Sequence, residues 1–210
     1  MANEKHKVFI SYHHANDQTH KQALLELNRR FGLFLDGSVD IGDIDDDLDD
    51  DAIRETIRDE YLQDTTVTIV LVGTETKYRK HIDWEIYSSM YDGVVNKKSG
   101  VLVINLPTID CTYYTANHGD DEKRIVYPEN SSWTFVTARS DYELRYPFVP
   151  DRIIDNLLRK GAKVSVTNWS TIIGDIDKLR FLIEATFRDR ATCDYDLSRP
   201  MRRSNSSDGG

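Results

Sequence analysis

The sequence predicts an α/β domain built on a parallel sheet of five strands with helices on both faces. Two observations carry this prediction. Apolar runs of strand length alternate with stretches of helical period, and several of the runs are rich in β-branched residues. Such alternation is typical of parallel strands joined by right-handed crossovers. A length of 210 residues suits one domain of this kind with an embellishment better than two domains.

Five apolar runs predict the strands. The first mixes β-branched and aromatic residues, which is typical of a strand buried on both faces, and the third is almost wholly β-branched. Glycine follows the third run and proline follows the fourth, and both residues favour the end of a strand. The predicted strands cover residues 7–12, 32–36, 65–72, 100–106 and 162–167.

Apolar residues spaced three and four apart predict the helices between these strands. The first helix is expected over 17–31, with Asn16 or Asp17 as its N-cap. The other predicted helices cover residues 48–61, 82–94, 150–160 and 174–190.

Two stretches break the alternation. Residues 107–149 are rich in Asp, Asn, Tyr and Pro, with one aromatic-apolar stretch at 133–137. A connection of this length is usually functional or an embellishment with local structure. From about Leu197 the composition predicts a frayed end. We therefore expect one domain over 5–190 (core 5–106, insertion 107–149, final helix–strand–helix unit 150–190) and a flexible tail over 191–210.

Composition narrows the function. Lys and Arg number 27 against 36 Asp and Glu, and the resulting net charge of −9 disfavours nucleic acid as a partner. Cys111 and Cys193 are far apart and have no metal or redox spacing, which favours a cytoplasmic setting. The first residues are polar and no apolar run approaches the roughly 20 residues of a membrane span, so no membrane partner is expected.

An acidic stretch precedes the second predicted helix. Asp43, Asp45 and Asp47 alternate as the ligands of a calcium loop do, but the mid-loop Gly and the terminal Glu of an EF-hand are missing. A solvated loop that leads to the positive end of a helix is the favoured interpretation. We expect no metal site.

The functional site is expected at the carboxyl ends of the strands, where open parallel sheets bind ligands. Ser11, Tyr12 and His13 end the first strand, and Asp36 ends the second. His13 and His14 would point to opposite faces of a continuing strand, so they are expected either as a loop pair or with one of them donating to phosphate or ribose. The chain has no Gly-x-Gly-x-x-Gly and no Walker A sequence, which argues against a redox dinucleotide fold and a P-loop enzyme.

Glu85 is the candidate reactive side chain. On a helix that carries Ile82, Ile86, Met90 and Val94 on one stripe, Glu85 falls roughly 60° outside the apolar arc. A carboxylate there would point at the sheet edge, half shielded, where it could stabilise a developing positive charge. From the helix pattern alone, an exposed helix glutamate is the favoured interpretation, since most of them are solvated.

Three motifs in order resemble those of TIR domains, in particular the TIR-like family of bacterial Thoeris antiphage sensor proteins. They are Lys7-Val-Phe-Ile-Ser-Tyr-His-His14, the strand over 66–73, and His81-Ile-Asp-Trp-Glu-Ile86. The resemblance covers roughly residues 5–106 well and the remainder loosely. It implies a flavodoxin-like fold.

The resemblance also implies site residues. Glu85 would be the catalytic residue, with Ser11, Tyr12 and His13 at the substrate. Asp36 would open a loop that closes over the site and helps self-association. One departure is His81, which stands where the family usually has an aromatic residue four positions before the Glu.

The implied activity is cleavage of the nicotinamide–ribose bond of NAD⁺, which would be a substrate and not a cofactor. The product would be an ADP-ribose-derived second messenger that activates a partner effector in antiphage defence, with self-association into TIR assemblies and a phage-derived trigger. A non-catalytic TIR adaptor is the alternative. A response-regulator receiver fits less well, because it needs an acidic pair after the first strand and an Asp after the third, where the chain has Ser11-Tyr12-His13 and Gly73-Thr74.

Overall fold

A computed structural model describes residues 5–37 and 48–206, and within these ranges five parallel strands form one sheet. The strands are β1 (Lys7–Ser11), β2 (Leu35–Asp36), β3 (Val67–Val72), β4 (Gly100–Asn105) and β5 (Ser165–Asn168). Their order across the sheet is β2-β1-β3-β4-β5. This is the flavodoxin-like order, so the predicted fold class is confirmed.

Helices flank the sheet. They are α1 (His14–Phe31), α2 (Asp50–Thr56), α3 (Lys80–Met90), α4 (Asp120–Val126), α5 (Arg139–Arg145), α6 (Asp151–Leu158), α7 (Trp169–Gly174) and α8 (Ile176–Asp189). A π-helical turn, Ile57–Tyr61, continues α2, and short 3₁₀ turns occupy Thr76–Tyr78, Pro107–Ile109 and Arg190–Thr192.

The buried apolar side chains form three clusters. On one face of the sheet α1 and α8 cover β1, β3 and β4, and on the other face α3, α5 and α6 cover β3 and β4. A third, smaller cluster joins Phe9 of β1 to α2 and to Trp84 of α3. Helix α3 is therefore packed from several sides, which matters for Glu85.

Several element ends differ from the prediction. Helix α1 begins at His14, because His13 is extended and its carbonyl accepts the N–H groups of Asn16 and Asp17; neither of those two residues is the N-cap. Helix α3 ends at Met90, and Val94 is 95% exposed, so Val94 does not belong to the apolar stripe.

The stretch 107–149 contains two helices that periodicity did not predict, α4 and α5. It is fastened to the edge of the sheet, where Thr115 and Val166 of β5 exchange two antiparallel backbone hydrogen bonds of 2.9 Å. Both helices have seven residues, so long-range contacts such as these, and not local periodicity, stabilise them. The assignment of this stretch as an insertion in one domain over 5–190 stays a prediction.

The carboxyl-terminal segment also differs from the expected frayed end, up to residue 206. Met201 is buried against Trp84, and the carbonyl of Arg202 accepts the Trp84 indole N–H at 2.8 Å. The side chain of Asn205 accepts the backbone N–H of Lys80, at the start of α3, at 2.9 Å. Polar residues are ordered here because the first turn of α3 offers N–H groups that need acceptors. We call residues 199–206 the strap.

No helix in the described ranges has both the length and the apolar character that a bilayer span requires.

Candidate active site

Glu85 and Ser11 meet at the carboxyl edge of the sheet. The Ser11 hydroxyl, at the end of β1, donates to Glu85 Oε2 over 2.5 Å. Strand order reverses between β1 and β3, and ligands of doubly wound sheets bind beside such a reversal. The sequence therefore predicted correctly that these two side chains lie at one edge, although Glu85 is only 5% exposed and thus less open than the half-shielded position expected.

Two polar contacts fix α3 around Glu85. One turn further along the helix, the hydroxyls of Ser89 and Thr68 of β3 are 2.7 Å apart. Two residues before Glu85, both oxygens of Asp83 accept hydrogen bonds from the buried guanidinium of Arg152 on α6, at 2.9 and 3.0 Å. Bidentate pairs of this type restrict geometry strongly, so Glu85 is held in one orientation toward the end of β1.

Burial dominates the electrostatics of Glu85. Loss of hydration raises the pKa of its carboxyl from the ordinary 4.5 to about 8, and the hydrogen bond from Ser11 opposes this rise. A carboxyl group with a pKa near neutrality can exchange its proton in the pH range where most enzymes work.

A second carboxyl group, missed in the sequence except as a cap candidate, lies at the end of β3. Asp17 in the first turn of α1 is 1% exposed, and its Oδ2 has no hydrogen-bond partner among the described residues. It contacts Gly73 so closely that a Cβ on Gly73 would lie 2.5 Å from that oxygen. Burial raises the pKa of Asp17. The glycine after the third strand is the sequence signal that could have indicated this approach.

His13 lies on the rim of the same edge, near Arg79. The imidazole is half-buried, its Nδ1 has no hydrogen-bond partner among the described residues, and burial together with the charge of Arg79 lowers its pKa. Arg79 is paired with Glu75 at 2.7 Å. A neutral imidazole beside a guanidinium offers donors and an acceptor to a polar ligand. The binding role of His13 stays a prediction.

Tyr12 and Asp36 are not brought to Glu85. The Tyr12 ring is buried on the α1 side, where its hydroxyl donates to Gln18 Oε1 at 2.6 Å and its ring stacks on His14 with centroids 4.4 Å apart. Successive residues of a strand point to opposite faces, so Tyr12 turns away when Ser11 faces α3. Asp36 is exposed and pairs with Val8, three residues before the end of β1.

Two aromatic positions near Glu85 have packing roles. The buried Trp84 faces α2 and the strap, and His81 meets the edge of its ring with centroids 5.0 Å apart. Neither arrangement restores the aromatic residue that the family usually has at position 81.

Metal ligands do not cluster in the part of the chain that the structure describes: no group of three or more His, Cys, Asp or Glu side chains there could hold an ion. Asp43, Asp45 and Asp47, and the loop after Asp36 that was expected to close over the site, lie outside the described residues.

The fold and the polar edge between β1 and β3 define a flavodoxin-like α/β protein with a buried carboxyl group at the position where such folds bind ligands. Residues 9–110, just under half of the chain, match the sequence model of the family described as Thoeris protein ThsB, TIR-like domain. The match confirms the resemblance of this part of the chain to the TIR-like domains of the Thoeris ThsB family that the three motifs predicted. No curated protein matches the sequence.

The family indicates a role in antiphage defence together with a partner effector, and it is consistent with NAD-related activity. The matched range includes every predicted site residue, from Ser11 to Glu85.

Proposed function

We propose that this protein cleaves the nicotinamide–ribose bond of NAD⁺ with Glu85 as the catalytic residue. The observation that carries the proposal is the buried Ser11–Glu85 hydrogen bond at the reversal of strand order. A ribose placed against this edge would have one carboxyl group beside its anomeric carbon and polar groups of His13 and Arg79 at the rim.

The chemistry needs few groups. When the C–N bond breaks, its electron pair goes to the nicotinamide nitrogen, which becomes neutral, and the ribose becomes an oxocarbenium-like cation. Nicotinamide leaves without protonation, so no second acid is needed. The carboxylate of Glu85 stabilises the cation, as carboxylates do in glycosidases.

The product depends on the nucleophile that attacks the anomeric carbon and then loses a proton. Water gives linear ADP-ribose, whereas attack by the substrate's own adenine or ribose gives a cyclic product, and an added nucleophile gives a conjugate. In each case Glu85 can accept the proton. We propose that the product is the messenger that reaches the effector, that the chains self-associate, and that a phage-derived trigger starts the reaction in the cytoplasm.

The raised pKa of Glu85 predicts how the activity depends on pH. The active form is the carboxylate, so kcat/KM should rise as pH increases toward about 8, the pKa of Glu85 in the protein without substrate. Ser11→Ala removes the contact that lowers this pKa, so the rising limb should move to higher pH. The positively charged nicotinamide ring of the substrate favours the same ionisation once it is bound beside Glu85.

The test compares NAD⁺ consumption by the wild-type protein, Glu85→Gln and Glu60→Gln, with and without a phage lysate as trigger. Glu85→Gln keeps the shape of the side chain but removes the carboxylate, and we expect turnover to fall by at least about 100-fold. Glu60→Gln removes an exposed carboxylate from another helical segment and should leave turnover unchanged. Urea unfolding of each variant checks that the fold is intact.

Undiminished turnover in Glu85→Gln would reject the catalytic assignment. Absence of NAD⁺ loss under every condition, with trigger and assembly both demonstrated, would favour the adaptor alternative, in which the domain only self-associates or docks a partner.

A further inference from the structure

A cavity lies beside β5, the edge strand of the sheet that is farther from Ser11 of β1. It has a volume of about 450 Å³ and is enclosed by residues 114–117, the stretch 133–137 and the end of α6. This volume is in the range of small-molecule sites. Thr115 forms an extra antiparallel bridge outside β5, so four strand spacings, about 19 Å, separate the cavity wall from β1. The cavity is therefore separate from the proposed NAD⁺ site.

The charge of the cavity is opposite to that of the chain. Sixteen residues line it, of which four are Lys or Arg and none is Asp or Glu, although the chain has a net charge of −9. Two of the cations have partners outside the cavity, since Lys123 pairs with Asp120 at 3.0 Å and Arg159 with Asp194 at 2.6 Å. The other two, Arg145 and Lys160, have no carboxylate partner within the described ranges.

Cations without a carboxylate partner next to a concave surface attract an anion, even though the Arg145 guanidinium also lies over the Tyr113 ring, 5.4 Å from its centroid. An ordinary surface cation is solvated or paired with a carboxylate, and such surface ion pairs contribute little to the free energy of folding. Arg145 is half-buried, so its field is less screened than that of a fully exposed cation, and a phosphate group would gain more there than at the open surface. Lys160 is exposed and adds a second positive charge to the lining. The guanidinium of Arg145 can also bind phosphate through two hydrogen bonds.

Part of the cavity lining is aromatic. Trp133 meets Tyr114 and Tyr127 edge to face, with centroids 5.9 Å apart in both pairs, and Phe135 is 92% exposed. Aromatic rings provide stacking surface for a planar base, worth about 1–3 kcal/mol per base.

The backbone of the same wall is unpaired. Residues 134–137 belong to no helix or strand and make no hydrogen bond with the rest of the chain that the structure describes. Their N–H and C=O groups are available to the edge of a base or to phosphate oxygens.

The geometry points to a second ligand site in this cavity for a nucleoside monophosphate, with the phosphate at Arg145 and Lys160 and the base against the aromatic wall. The ligand class follows from three features found together: cations without acids, an aromatic wall and unpaired backbone groups. The site does not require NAD⁺ cleavage, so it stands or falls separately from the proposed function.

The test measures AMP binding to the full chain by isothermal titration calorimetry at low salt, with adenosine and inorganic phosphate as partial probes. We expect saturable AMP binding that weakens by at least tenfold in Arg145→Gln/Lys160→Gln, because each substitution removes a charge-assisted contact. The control Arg30→Gln/Lys97→Gln removes the same two charges from exposed positions outside the cavity and should bind AMP as the wild type does. Glu85→Gln should also retain this binding.

The partial probes test the two halves of the proposal. Adenosine and phosphate should each bind at least tenfold more weakly than AMP. The proposal is overturned if AMP does not bind, if its affinity is unchanged in Arg145→Gln/Lys160→Gln, or if phosphate alone binds as tightly as AMP. A shared melting temperature of the two double variants shows that loss of binding is not loss of the fold.

Discussion

Replacement of Glu85 by Gln should make the folded protein more stable at neutral pH and remove part of the pH dependence of its stability. The wild-type carboxyl group is buried beside Ser11, and its pKa of about 8 shows that the folded state disfavours the charged form. Glutamine has nearly the same shape and its amide oxygen can still accept the Ser11 hydroxyl, but it never ionises.

The expected magnitude follows from the two pKa values. Between pH 4.5, the ordinary pKa of Glu, and about pH 8, the folded protein keeps a proton that the unfolded chain releases. The folded state then binds more protons, so the free energy of unfolding falls as pH rises, by about 1.4 kcal/mol per pH unit in this window. From pH 4.5 to pH 7 the loss amounts to about 3 kcal/mol. It is absent below pH 4.5 and levels off above pH 8.

Urea unfolding of wild type and Glu85→Gln at pH 5, 6, 7 and 8 measures this difference. The gap between the two free energies of unfolding should widen with each step up to about pH 8. Glu60→Gln, which removes an exposed carboxylate, should stay parallel to the wild type. Parallel curves for Glu85→Gln and wild type across this range would refute the conclusion that Glu85 is buried with a raised pKa. A stability cost of this size is expected of a residue retained for function.

The centre of the sheet could be predicted from the sequence because β1, β3 and β4 are short runs that are largely apolar on both faces, whereas the two residues of β2 are exposed. Such runs have few alternatives to a central parallel strand, and the order of strand and helix then places Ser11 at the carboxyl edge. The position of Glu85 relative to the stripe formed by Ile82, Ile86 and Met90 placed it near the same edge. The helix pattern alone nevertheless favoured an exposed glutamate, and the resemblance to TIR domains was needed to assign Glu85 to the site.

The burial of Glu85 could not be predicted in the same way. It follows from contacts far apart in sequence: Trp84 with Arg202 in the strap, and Asp83 with Arg152 on α6. Helical periodicity describes one face of α3 against the sheet and contains nothing about the elements that cover its other faces. Asp17 was missed for a related reason, since its approach to Gly73 joins the first turn of α1 to the residue after β3, which are far apart in sequence.

Two further predictions concern the contacts that build the edge. Gly73→Ala should lower the free energy of unfolding by about 1–3 kcal/mol, because its Cβ would overlap the carboxylate of Asp17; in an Asp17→Ala background the same change should cost less than about 1 kcal/mol, as a double-mutant cycle of urea unfolding would show. Arg152→Met should cost about 3–5 kcal/mol, because it leaves the Asp83 carboxylate buried without its cation. Adding Asp83→Asn removes that charge while its amide oxygen still accepts a hydrogen bond, so the double variant should recover at least half of the loss. Equal instability of the single and double variants would mean that the cost arises from lost packing of the Arg152 side chain and not from an unpaired charge beside Glu85.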